Sequence, residues 1–191
     1  MTDISPDLVR EFVIAGHGNL GKVKEMLARH PQLLNAANEW SPGDRESAVQ
    51  AAAHVGSAHV AEYLLAQGAP VEICTAAMLG RREEIERMLA ADPSLIRAKG
   101  AHGIPLLTHA ALSGDTGLIQ MLYEHGAREG ASAALSNAVS KGHREVVRWL
   151  LQHASPDLNW KNFQGKTALT IAEERGSEDI ARMLHEQSAK A

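Results

Sequence analysis

The 191-residue chain is predicted to fold as an all-α solenoid of helix-turn-helix units joined by short β-hairpin loops. Three observations carry this. One pattern recurs along the chain: a short Ala-rich helical run, a Gly, a few polar residues, then a longer helical run closing on Leu or Met. "AVQAAAHVGSAHVAEYLLAQGA", "LLTHAALSGDTGLIQMLYEHGA", "LSNAVSKGHREVVRWLLQHAS" and "ALTIAEERGSEDIARMLHEQS" all show it, and such recurrence marks a stacked array. In the longer runs the apolar residues fall on one helical face, Val60, Ala61, Leu64 and Leu65 in one copy and Val146, Val147, Leu150 and Leu151 in another. Hydrophobic residues make up 45% of the chain but aromatics only 4%. A core built mainly from Leu, Ile, Val, Met and Ala favours closely packed helices.

Taken in order, the first helix opens at Ser5-Pro6-Asp7, where Ser caps and Pro fits the first turn. The aligned inter-helix glycines are Gly18, Gly56, Gly80, Gly114, Gly142 and Gly176, spaced by 38, 24, 34, 28 and 34 residues. Six glycines imply six helix pairs, over approximate units 5–40, 41–70, 71–103, 104–129, 130–164 and 165–191 of one domain. Gly suits a tight reversal that calls for positive φ. The 24- and 28-residue spacings hold two helices and a turn but no hairpin, since "QGAPVEIC" and "HGAREGASAAL" pass straight to the next pair. Residues 34–47, 96–105 and 157–167 are longer joints. Hairpin fingers are therefore expected at every second junction only. The polar faces of the first and last pairs read as caps, with which the array looks complete.

These residues resemble the ankyrin repeat. The best match is Asp157 to Gln187, "DLNWKNFQGKTALTIAEERGSEDIARMLHEQ", with a hairpin segment, a G-x-T-A-L entry at Gly165, Thr167, Ala168 and Leu169, and the inter-helix Gly176. "LLAQGA" and "GHREVVRWLL" are similar to the family pattern as well. The resemblance implies binding of a protein or peptide partner through finger tips and the exposed positions of the first helices, which line the concave side. On this chain those positions are Trp40, Asp44 and Arg45 in the first finger, Lys99 and His102 in the second, Trp160 and Phe163 in the third, and His54, Met78 and His109 on the first helices. Trp40 is expected to be exposed. Trp160 reads equally as exposed or as packed on the base of its hairpin. Met78 and Leu112 form either an apolar docking strip, through which the chain would self-associate, or part of a close-packed joint.

Composition and local motifs exclude several other functions. The formal charge is -4 and the basic residues are interleaved with acids, as in "GRREEIERML", so neither a nucleic acid nor a membrane is an expected partner. The amino terminus is acidic where a leader would be basic, and Cys74 is a lone cysteine in an apolar run; the chain is expected to be a cytoplasmic monomer with a buried thiol. "GHGNLG" at 16–21 matches a dinucleotide-binding G-x-G-x-x-G, but the expected context is helix-turn-helix, with no strand before it. "QGKT" at 164–167 imitates a phosphate-binding loop, but Trp160 stands where the loop's leading Gly belongs. No cofactor and no catalysis is expected.

The ten histidines weigh against a purely bland surface. His17 and His143 flank inter-helix glycines, and His30, His125 and His153 close second helices, where a helix carboxyl end favours them. His54, His102 and His109 supply the competing reading, a small-molecule or metal site between the fingers with an enzymatic role. No H-x-x-x-H or C-x-x-C spacing supports it, and no metal ligand is assigned.

Overall fold

A computed structural model describes residues 4–189, and they form six antiparallel helix pairs. The pairs are α1 (Pro6–Gly16) with α2 (Leu20–Arg29), α3 (Ala48–Val55) with α4 (Ala58–Ala66), and α5 (Ile73–Met78) with α6 (Arg82–Ala91). They continue as α7 (Leu106–Ala110) with α8 (Thr116–Glu124), α9 (Ala131–Lys141) with α10 (Arg144–His153), and α11 (Ala168–Glu174) with α12 (Glu178–Ser188). The first helices pack in sequence order, α1 on α3, then α5, α7, α9 and α11. Each unit thus buries its apolar face against its neighbours, as in any solenoid.

Local chemistry sets the helix ends. Ser5 caps α1 by accepting from the backbone N–H of Leu8, with Pro6 in the first turn. Ser47 and Gln50 form a reciprocal capping box at α3. Five inter-helix glycines take positive φ, between 65° and 78°. Gly18 does not, so the first reversal differs from the expected one. There the N–H groups of Gly18 and Asn19 both bond to the Ala15 carbonyl, and the Asn19 side chain caps α2, so the turn closes without left-handed backbone at its glycine.

The buried side chains fall into two clusters. One joins the first two units through Phe12, Val23, Leu33, Val60 and Leu64 and extends to Met78 and Leu112. The other runs from Ile73 to Leu184. Met78 and Leu112 are 3% and 8% exposed, so the row they share is a packed joint and no docking strip stands open there. Without a hairpin at the short joint, the neighbouring units close over them. Tyr123 and Trp149 stack edge to face at 5.3 Å between successive second helices, and Arg128 lies over the Tyr123 ring at 4.3 Å.

Loops project at the three expected alternate junctions, but among the described residues only the first is a β-hairpin, where the sequence predicts hairpins at all three. In the first, β1 (Ala37–Ser41) pairs antiparallel with β2 (Asp44–Ser47), with a register shift between Glu39 and Ser41 at Trp40. The second is reduced to a single bridge between Lys99 and Pro105 and a 3-10 turn over Ala101–Gly103. The third is a turn in which the Asn162 side chain accepts from the N–H groups of Gln164 and Lys166 while the Asn162 N–H bonds to the Lys166 carbonyl. "GHGNLG" is the reversal between α1 and α2, and "QGKT" lies in the third finger, where Lys166 pairs with Glu174 at 2.5 Å.

Candidate functional site

Four elements converge on the carboxylate of Glu46. It lies on β2, two residues after Asp44, so both acids point to the same side of the strand. The carboxyl end of α1 supplies His17, the last turn of α3 supplies His54, and the second finger supplies His102. Glu46 is fully buried, yet no Lys or Arg is paired with it among the described residues. A buried carboxylate in that state is costly unless other groups compensate it.

The two oxygens of Glu46 have separate roles. Oε2 accepts the indole N–H of Trp40 at 2.7 Å. Oε1 faces three imidazole nitrogens, His102 Nε2 at 3.4 Å, His54 Nδ1 at 3.6 Å and His17 Nε2 at 3.9 Å. These gaps exceed an ordinary hydrogen bond. Both Oε1 and His54 Nδ1 are buried without a hydrogen-bond partner among the described residues. The His54 ring lies 4.9 Å from that of His17 and 5.1 Å from that of His102.

The outer face of the cluster orients its rings. His17 Nδ1 sits 3.1 Å from the Val13 carbonyl, and His102 Nδ1 sits 2.8 Å from Asp44 Oδ2. Both partners only accept, so each Nδ1 carries a proton and each Nε2 is the ring nitrogen left facing Glu46. Asp44 Oδ1 also accepts the backbone N–H of His102, which holds that residue at a left-handed φ of 58°. Left-handed backbone at a non-Gly residue concentrates at functional positions. Burial, then the neighbouring histidines, pushes the His54 imidazole down to about 3 against the pull of Asp44, so it is neutral near pH 7. The hydrogen bond from His102 holds the Asp44 carboxyl below its usual range.

Comparison with known proteins places the architecture. A family model described as ankyrin repeats, in three copies, matches residues 73–159 and 107–191. The chain belongs to the ankyrin repeat family. It is similar to the cyclin-dependent kinase 4 inhibitor B of Rattus norvegicus, at 29% identity over 129 residues covering 64% of this chain and 96% of that protein. It is also similar to a putative ankyrin repeat-containing protein of Treponema pallidum (strain Nichols), at 34% identity over 97 residues covering 48% of this chain and 32% of that protein. The chain therefore spans about a third of the Treponema protein's length. His17, Glu46 and His54 all lie ahead of the segment that matches the ankyrin model.

Within this ankyrin array the remaining sequence-derived residues are dispersed. Trp40 is only half-buried rather than exposed, because the bulge at its position turns the indole in to Glu46 with Arg10 5.7 Å above the ring. Arg45 is exposed, and Lys99 pairs with Glu129 at 2.7 Å. Met78 is core. His109 is also core, 1% exposed, with Nδ1 3.2 Å from the Pro105 carbonyl and its far edge against Gly100. Burial pushes its imidazole down to about 4. The trio of His54, His102 and His109 is thus corrected: the first two meet, His109 does not, and His17 takes its place. Trp160 and Phe163 stand free on the third ankyrin finger, 38% and 96% exposed. Cys74 is buried, and burial raises its thiol to about 12, which makes it an inert part of the core.

Sequence reasoning placed His17 at the carboxyl end of α1, where it lies, but missed Glu46 and with it the contact that His17 makes there. The i, i+2 spacing of Asp44 and Glu46 in a hairpin strand was a usable signal. His17 sits one residue before its glycine and His54 two before its own, so the two do not align in the repeat.

Proposed function

We propose that the chain is a non-catalytic protein-interaction module that presents its finger loops, above all the third, to a protein or peptide partner. One observation carries the reading: Phe163 is 96% exposed at the tip of a turn pinned by the Asn162 side chain, in a chain with only 4% aromatics. A large apolar side chain held in water on a pre-ordered loop loses little entropy on docking, and aromatic residues dominate interface hot spots. Trp160 beside it, and Arg45 on the first finger, extend the surface. Membership of the ankyrin family and similarity to an inhibitor of a cyclin-dependent kinase support a protein as the partner. A single buried cysteine, which allows no disulfide within the chain, supports work in the reducing cytoplasm, and the burial of Met78 and Leu112 supports a monomer. No helix among the described residues is long and apolar enough to cross a membrane.

The test is site-specific photo-crosslinking from position 163 in the native cell, with position 125 on an outer helix end as control. A discrete partner captured from 163, absent from 125 and lost when Trp160→Ala is added, is the expected result. Identical capture from both positions overturns the reading.

A further inference from the structure

We infer that His17, Glu46, His54 and His102 form a binding site for one divalent transition cation of borderline softness, for which Zn2+ is the best fit, and that the bound ion clamps the first two fingers to the first two helix pairs. The inference stands apart from the partner surface on the third finger.

The spacing of the donor atoms is the first argument. One atom each from His17, Glu46 and His54 lies within 4.8 Å of the others, and His102 Nε2 adds a fourth donor 3.4 Å from Glu46 Oε1. Bonds of roughly 2.0–2.1 Å in a tetrahedron put donors about 3.3 Å apart. The three nitrogens at 3.4, 3.6 and 3.9 Å from Oε1 are too far for hydrogen bonds and close to that edge length.

The second argument is the state of each donor. Glu46 Oε1 and His54 Nδ1 are buried and unpartnered, so a cation between them would compensate the two costly orphans at once. Val13 and Asp44 engage the Nδ1 atoms of His17 and His102, so in both rings Nε2 is the nitrogen directed inwards and available to a cation. The Asp44 to His102 contact is the carboxylate–histidine pairing that orients imidazoles on metals, and the Trp40 bond to Oε2 leaves Oε1 as a single-point ligand. Charges balance as well: two positive from the ion, one negative each from Glu46 and Asp44, and neutral imidazoles.

Donor chemistry selects the ion. Three imidazoles and one carboxylate suit Zn2+ and its neighbours, whereas Ca2+ and Mg2+ take oxygen donors. His17, Glu46 and His54 are the three mutually close donors, and His102 Nε2, 3.4 Å from Oε1, is the group that would close the fourth position, as in a structural site.

The test uses the full chain purified without a histidine tag, stripped with a chelator and titrated with Zn2+ against a chromophoric competitor; Co2+ is added in parallel to read tetrahedral geometry in the visible spectrum. One Zn2+ per chain, a rise in Tm and an intense cobalt band are expected. Asp44→Asn, outside the ligand set, should weaken binding about 10–100-fold, and His102→Gln and Glu46→Gln at least as much, while His30→Gln and His153→Gln leave it unchanged. If Glu46→Gln does not fold, the loop variants Asp44→Asn and His102→Gln decide. Binding that the loop variants do not weaken, or that His30→Gln weakens equally, overturns the site, as does a wild-type chain whose Tm Zn2+ leaves unmoved.

Discussion

The indole N–H of Trp40 donates to Glu46 Oε2 at 2.7 Å across the bulged hairpin of the first finger. This bond makes a finger residue part of the buried framework. Trp40→Phe keeps an aromatic side chain but removes the donor, and stranding a buried acceptor costs about 1–3 kcal/mol. Urea unfolding in the presence of chelator is expected to show that loss. A change under about 0.5 kcal/mol, the range of ordinary surface substitutions, would return Trp40 to the partner-facing surface.

Leu64 and Leu150 occupy equivalent places on the buried faces of α4 and α10, both fully inaccessible. Leu64→Ala and Leu150→Ala should each cost about 2–5 kcal/mol through lost transfer energy and the cavity left behind. In a solenoid each loss acts on its own interface first, so hydrogen exchange should open near the substituted pair before the far end.

Gly18 and Gly56 align in sequence but not in conformation. Gly56 has φ of 70° and an added Cβ would meet Lys141 Cε at 2.8 Å, whereas Gly18 lacks positive φ and its nearest atom would be 3.7 Å away. Gly56→Ala is expected to cost about 1–2 kcal/mol for the left-handed backbone, with the Lys141 side chain swinging aside. Gly18→Ala should leave Tm within a degree or two, as for a neutral surface change. Equal losses at both positions would mean that the first turn is as strained as the others.

Acid should destabilise the fold through His109. Its folded pKa, about 4, lies below the usual 6.5 because of burial, so the unfolded chain takes up a proton that the native chain refuses. The stability at stake is fully present above about pH 6.5 and drains as pH falls towards 4. The integrated effect is of the order of 3 kcal/mol at most, from about 1.4 kcal/mol per pH unit. Equilibrium unfolding from pH 7 to 4.5, with chelator present, should give a steeper slope for the wild type than for His109→Gln. Parallel slopes would assign the acid sensitivity elsewhere.

Helix pairs, their glycine turns and the alternation of long and short joints were legible in the chain because each depends on residues close in sequence. The Ser5 cap, the apolar face of Val146, Val147, Leu150 and Leu151, and the missing hairpins all follow from local spacing. The family resemblance follows from the same short-range signals repeated. What stacking alone decided is which residues meet and which are covered. His17, Glu46, His54 and His102 come from four different elements and converge only when the first two fingers fold against α1 and α3. Met78 and His109 lie at positions that read as open on a single unit but close when the next unit packs over them. Periodicity reports the face a helix must bury, and only the neighbouring element determines what that face, or a buried charge beside it, finally touches.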